Sequence, residues 1–202
     1  MKHSIIVLAL VFLLAGCQEE MKKEPVHPAV QDQVSLLTYF PPDGSVAYFQ
    51  GEGNEFASFT LQTTYIDTQH IAQVEDNGGV TLLKIYRMTD SKIELVYREP
   101  VDSNPSLPSI SEVAAYPVLE TILKQPIQVG TSFEGWTIQS TTAQVDTGTK
   151  VYTNAIQLTR TEDQFITTKY FAQGVGLIKI EDTMESDQEQ PFVVTSTLQK
   201  IE

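Results

Sequence analysis

The stretch "FASFTLQTTYI" (Phe56–Ile66) decides the fold class. Ala57, Phe59, Leu61 and Tyr65 fall on one face, and Ser58, Thr60, Gln62 and Thr64 fall on the other. Strict alternation of apolar and polar residues, rich in Thr, Tyr and Phe, is the pattern of an antiparallel strand with one face buried. The same period recurs along the chain. In "KIELVYR", Ile93, Leu95 and Tyr97 alternate with Lys92, Glu94 and Arg98. In "LIKIED", Ile178 and Ile180 alternate with Lys179 and Glu181. In "FVVTSTLQK", Phe192, Val194 and Leu198 oppose Val193, Thr195, Thr197 and Gln199.

Turn chemistry separates these runs. Asn77-Gly78-Gly79 supplies positive φ for a tight hairpin, and Thr89-Asp90-Ser91, Asp146-Thr147-Gly148 and Glu162-Asp163 are further turn sequences. Roughly nine to eleven strands fit between Leu36 and Ile201 at ordinary strand and turn lengths. "EPVDSNPSLPSISE" (Glu99–Glu112), with Pro100, Pro105 and Pro108, reads as a loop that divides the strands into two groups. "SISEVAAYPVLETILK" is the one helical candidate, and Pro117 interrupts it. The expected fold is mainly β: an antiparallel curved sheet, sandwich or half-barrel, with at most one short helix.

The N-terminus has a separate logic. Lys2, an apolar run over Ile5–Leu14 and the slim residues before Cys17 have the layout of an export signal. The apolar run is shorter than the roughly 20 residues a membrane span needs. Leu13-Leu14-Ala15-Gly16-Cys17 resembles the bacterial lipobox, in which the cysteine thiol takes a diacylglyceryl group and becomes the first residue of the mature chain. The resemblance implies a lipoprotein signal peptide over 1–16, lipidation of Cys17, and a membrane partner reached through that anchor at the outer face of the cell membrane. A thiolate is the nucleophile that forms the thioether, and two acyl chains hold where one holds marginally. Cys17 is the only cysteine, so no internal disulfide exists. Residues 17–35, polar with Pro25 and Pro28 and without apolar period, read as a lipidated tether reaching on the order of 20–25 Å. Residues 36–202 read as one all-β domain.

The chain carries a net charge of −13. Such a surface repels nucleic acid and anionic lipid head groups, and neither is expected as a partner. Its 41% hydrophobic content supports a full core.

"YFQGEGNEFASF" (Tyr48–Phe59), "LKQPIQVGTSFEGW" (Leu123–Trp136) and "KYFAQGVGLIKI" (Lys169–Ile180) resemble, in this order, three segments of an uncharacterised family of extracytoplasmic β-domains and lipoproteins from Firmicutes. Phe133 stands where that family usually has tryptophan. The resemblance covers roughly Leu36–Ile201 and implies location and fold, with no activity attached. Read by themselves, Gly51 and Gly53 suit a bulge or a close backbone crossing at a strand end, and Gly174 and Gly176 a sharp bend between strands. Asn54 and Glu55, beside the first pair, are the candidate ligand-contacting residues.

Reactive side chains are few. His70 is the one histidine beyond the tether, so a site of several imidazoles or thiolates is ruled out by composition, and no metal or other cofactor is expected. No Gly-x-Ser-x-Gly elbow, phosphate loop or calcium loop is present. Glu55, Asp67, Glu75 and Asp76 could meet across hairpins as a carboxylate pair. The aromatics of the first half, from Tyr39 and Phe40 to Tyr86 and Tyr97, divide between core and pocket lining. No catalytic residue is assigned. The expectation is a monomeric, non-enzymatic binding domain for an envelope protein, peptide or glycan. The alternatives are a half-barrel carrier of an apolar ligand and a carboxylate hydrolase of envelope glycans.

Overall fold

A computed structural model describes residues 35–185 and 190–202. Cys17, the signal and most of the tether therefore lie outside the described residues. The twelve strands are β1 (Val46–Glu52), β2 (Phe59–Tyr65), β3 (His70–Asp76), β4 (Thr81–Met88), β5 (Lys92–Pro100), β6 (Glu120–Lys124), β7 (Ser132–Phe133), β8 (Trp136–Asp146), β9 (Val151–Glu162), β10 (Phe165–Ala172), β11 (Gly176–Met184) and β12 (Phe192–Ile201). All pair antiparallel in a single sheet of order β6-β5-β4-β3-β2-β1-β12-β11-β10-β9-β8-β7. Each strand pairs with its successor except β6, which does not pair with β7, and β1 pairs also with β12, so the chain's last strand closes onto its first. The sheet curls until β6 and β7 lie side by side, nearly completing a barrel. The mainly-β reading therefore holds, and of its three architectures the curved sheet is the one adopted.

The Pro-rich loop does not divide the strands as the sequence suggested, because β5 and β6 on either side of it pair directly (Ile93 opposite Leu123). The count of twelve strands exceeds the sequence reading because β7 has only two residues, too few to show alternation. Leu36–Tyr39, at the start of the domain, is a 3₁₀ turn whose Leu36 and Tyr39 plug one end of the barrel. Gly174 N–H reaches the carbonyl of Thr38 in this plug.

The helix α1 (Ile110–Ala115) is short because both its ends are fixed locally. Ser109 caps it in a reciprocal pair with Glu112, and the chain leaves helical geometry at Tyr116, ahead of Pro117. α1 lies outside the barrel. Val113, fully buried, covers Ala72, Leu83, Ile85 and Val96 on the outer face of β3, β4 and β5. The remaining core lies inside the barrel and leaves part of it open: Phe49, Leu61, Ile178 and Leu198 form one cluster, and Phe40, Ile71, Ile93, Trp136, Ile138 and Phe171 another towards the plug and the β6/β7 seam.

The quoted strand β2 behaves as its alternation requires, with Ala57, Leu61 and the fully buried Thr63 inside and Gln62 outside. β5 does not keep its phase. Leu95 stands opposite Tyr86 and Tyr97 opposite Ile85, so Val96 is an extra, bulged residue. Ile93 and Leu95 face inward, Tyr97 turns outward to stack on Tyr116, and Arg98 comes round to the interior opposite Lys84.

The seam between β6 and β7 exchanges no ladder hydrogen bonds among the described residues. Side chains close it. Thr121 on β6, 2% exposed, donates its N–H to Glu134 Oε2 (2.8 Å) and its hydroxyl to Oε1 (2.7 Å). Glu134 and Gly135 hold φ of 45° and 82° in the two-residue turn between β7 and β8. That primed turn aims the carboxylate back across the gap. Trp136 Nε1–H donates to Glu120 Oε1 (3.3 Å), and Arg160 pairs with the same carboxylate (3.7 Å).

Candidate functional site

The barrel is hollow. Two adjoining chambers share six wall residues: Glu75, Lys84, Tyr86, Ile122, Lys169 and Ile180. The inner chamber, about 110 Å³, lies under the 3₁₀ plug and is walled mainly by Phe40, Phe49, Leu61, Ile93, Phe171 and Leu177. The outer chamber, about 410 Å³, opens at the far end, where Asn54, Phe56, Arg98 and Asp182 are exposed. A space of this size lies within the range of small-molecule sites.

The strands deliver these side chains by the period-two rule. On β3, Ile71, Gln73 and Glu75 point inward, and on β4, Lys84 and Tyr86 do so. Charges at inward positions are costly unless paired. Glu75 and Lys84 satisfy each other at 2.5 Å. Glu120 is held by Arg160 and Trp136, and Asp182 accepts a hydrogen bond from the Thr167 hydroxyl (2.6 Å). Deeper in, Gln73 donates to Thr63 Oγ1 at 3.1 Å.

Two donors at the neck have no such partner. Lys169 Nζ lies 4.7 Å from the centre of the Trp136 ring and makes no hydrogen bond or ion pair among the described residues. Its ammonium is enclosed but keeps some surface on the cavity. Burial holds its pKa below the usual lysine value; Glu120 opposes that shift, and Lys84 and Arg160 reinforce it. Tyr86 packs its ring edge-on to Phe40 at 5.2 Å, and its hydroxyl has no hydrogen-bond partner among the described residues. Burial, with Glu75 adding to it, raises the Tyr86 pKa far above the ordinary phenol value, so the hydroxyl stays a proton donor. At the mouth, Arg98 is exposed and makes no ion pair among the described residues.

The sequence-derived candidates fall in different places. Asn54 lies on the rim of the outer chamber, but its Oδ1 is engaged by the Phe56 N–H (2.7 Å). Glu55 is exposed on the same loop and is not part of the chamber wall. Gly51 sits where β1 passes the loop: a Cβ there would come within 2.3 Å of the Ala57 and Ser58 backbone. Gly53 would meet the Val193 carbonyl at 2.4 Å. Gly174 lies in the open β10–β11 turn, and Gly176, at φ 87°, packs under Tyr39 and Pro41 of the plug. The four carboxylates do not converge. Glu75 faces the neck, Asp76 next to it points out, Asp67 is at the opposite end of β3, and Glu55 is on the mouth loop. His70, 5% exposed, takes Asp67 on its Nδ1 at 3.0 Å, and its Nε2 is buried without a partner. No group of three metal-ligating side chains occurs among the described residues.

Sequence reasoning missed Lys84, Arg98, Glu120 and Lys169, and placed Tyr86 only among the aromatics divided between core and pocket lining. The available signal was a charge on the apolar phase of a strand, as at Lys84 within "TLLKIYRM".

No family model matches the chain, and no curated protein matches it. A solved structure of a Bacteroides fragilis protein inferred to be exported, with a YmcC-like fold, is similar at 13% identity and a TM-score of 0.48. The likeness covers 82% of this chain and 99% of that one.

Proposed function

We propose that the protein is an extracytoplasmic binding protein, leashed to the outer face of the cell membrane by lipid on Cys17, whose barrel takes up a small molecule through its open end. The observation that carries this reading is the hollow itself: an open chamber of about 410 Å³ adjoining an inner one of about 110 Å³. A barrel built only to present an outer face would fill its interior with side chains to crystal-like density. This favours the carrier or sensor reading over a purely surface-mediated interaction domain. The hydrolase reading has less support, since Glu75, Glu120 and Asp182 are each engaged by a cation or a hydroxyl. The lipobox-like "LLAGC" supports the anchor, and the polar stretch after it supports the leash.

The protein provides its own reporter. Trp136 is the single tryptophan, is 2% exposed, and lies beneath Lys169 at the neck. Small molecules extracted from protein purified from its native host and titrated back should change Trp136 emission saturably. Native mass spectrometry that finds no bound small molecule, together with an unresponsive Trp136, would reject the binding reading. For the anchor, intact-mass analysis should show a diacylglyceryl group on an N-terminal Cys17.

A further inference from the structure

We infer that the ligand is a small amphiphilic anion: a carboxylate or phosphate head held at the neck by Lys169 and Tyr86, joined to one compact apolar group that enters the inner chamber. This rests on the binding reading above and names the chemistry the same hollow selects.

The head is argued from unused donors. Lys169 and Tyr86 both line the two chambers, and neither has a hydrogen-bond partner among the described residues. Both side chains are half-buried, so their donors face the cavity with no protein acceptor at hydrogen-bond distance. A ligand oxygen at the neck can accept from both, and the Lys169 bond is charge-assisted. Lys84 cannot serve the same purpose, because Glu75 holds it at 2.5 Å. The field also favours an anion here. Arg98, opposite Lys84 on the neighbouring strand, adds a positive charge at the mouth that no carboxylate pairs among the described residues. Three cations and three carboxylates line the outer chamber, so it is neutral inside a chain of net charge −13. The reduced pKa of Lys169 accords with an ammonium awaiting a counter-ion.

The tail is argued from size and lining. The inner chamber, about 110 Å³, is walled by Phe49, Leu61, Ile93 and Phe171. An apolar cavity of about 150 Å³ is known to take benzene, so the inner chamber, smaller but continuous with the outer one through the neck, takes at most one ring or a short branched chain and has no room for a long acyl chain. Beyond it the 3₁₀ plug closes the barrel, with Tyr39 and Phe40 buried.

The test uses the full-length chain bearing Cys17→Ala, which keeps acyl chains out of the assay. Four probes are matched in ring and differ in head: phenylacetate, phenyl phosphate, 2-phenylethanol and 2-phenylethylammonium. Amide and methyl NMR shifts of Leu61, Trp136 and Phe171 report entry and give Kd. The anions should bind at least 10-fold more tightly than the alcohol, and the ammonium probe more weakly still. Lys169→Met should remove the preference for anions by about 10-fold and leave the affinity for 2-phenylethanol unchanged. Should Lys169→Met fail to fold, Tyr86→Phe and the exposed Arg98→Gln carry the test, each expected to weaken the anions about 3-fold with the alcohol unaffected. Equal affinity for all four heads, or anion binding indifferent to all three variants, would overturn the anion assignment and leave the binding reading standing. Absence of any saturable shift at the three reporters, for every probe, would overturn both. The phenylacetate and phenyl phosphate arms decide between carboxylate and phosphate as the preferred head.

Discussion

A barrel whose two edges share no ladder bond should open when its side-chain latch is removed, and Glu134 is that latch. Glu134→Ala deletes the acceptor of the Thr121 N–H (2.8 Å) and of the Thr121 hydroxyl (2.7 Å). The hydroxyl can rotate to another acceptor. The N–H cannot, and Thr121 is only 2% exposed. An orphaned buried N–H costs about 1–3 kcal/mol, and each lost hydrogen bond about 1 kcal/mol net. Glu134 itself is exposed, so water reaches the gap and the loss belongs at the lower end, about 2 kcal/mol. For a domain of this length that is a fall in Tm of about 4–8 °C.

Two companion variants separate latch from turn. Glu134 sits at φ 45°, a conformation in which alanine is as strained as glutamate. Glu134→Gly loses the same bonds but sheds that strain, and should melt above Glu134→Ala by an amount equivalent to about 1 kcal/mol. Glu134→Gln keeps one acceptor oxygen and should cost about 1 kcal/mol. Thermal unfolding followed by circular dichroism gives the ranking, and hydrogen exchange at the Thr121 amide gives the mechanism, since that proton should become exposed in Glu134→Ala. Melting of Glu134→Ala within ~1 °C of the parent, with Thr121 still protected, would refute the latch and leave the Glu120–Trp136–Arg160 cluster as the closure.

The remaining predictions concern anchor, backbone, helix and pH. Cys17→Ala should leave the precursor uncleaved and unlipidated; unchanged recovery in the membrane fraction as a mature-length lipoprotein would count against lipidation at this thiol. Gly51→Ala should destabilise by about 3 kcal/mol or more, because its Cβ meets backbone atoms at 2.3 Å that cannot rotate away; a denaturation midpoint equal to the parent's would contradict that approach. Val113→Ala should cost about 2 kcal/mol and raise proteolytic cutting in the 101–109 loop, if α1 is held on the sheet by that one buried side chain. Acid should loosen the seam and the β2–β3 turn. Hydrogen bonds from Thr121 hold the Glu134 carboxyl below its usual 4.5. At Asp67 burial works the other way, but His70 and the Gln69 and His70 N–H groups outweigh it and hold the carboxyl below 3.8. Groups with depressed folded values add stability that is complete above the unfolded pKa and is lost as pH falls through the folded one. Midpoints should therefore fall from about pH 5 downward, and less steeply in Glu134→Gln; parallel profiles would exclude Glu134 as a contributor.

The fold was legible because alternation is a local signal. β2, β11 and β12 each show it over several residues, and the glycine turns mark where they end. Legibility failed where a single residue resets the phase or where a strand is too short to have one. The bulge at Val96 exchanges the faces of Tyr97 and Arg98, and nothing within "KIELVYR" announces it. β7 pairs through two residues, and its place at the edge follows from closure of the whole sheet. The 3₁₀ plug over "LLTY" has too few residues to show a period, and its buried residues are set by the barrel end they fill.

The site was illegible for a related reason, and the same reason couples the latch to the neck. A lysine in a strand reads as the solvent face, since an inward lysine is costly and rare. Lys84 and Lys169 are inward, and only the register of β4 against β3 and of β10 against β9 reveals it. The compensation is tertiary. Glu75 comes from β3 for Lys84, and Trp136, positioned at the seam by Glu120, provides the ring beneath Lys169. Opening the seam should therefore move Trp136 and alter the setting of the neck ammonium at a distance from Glu134. Glu134→Ala should thus shift the Trp136 emission maximum and weaken anionic probes more than neutral ones, whereas Gly51→Ala, at the mouth of β1, should lower stability without that selectivity. A latch variant that lost stability but kept both emission and head-group preference would show that closure and recognition are independent properties of the barrel.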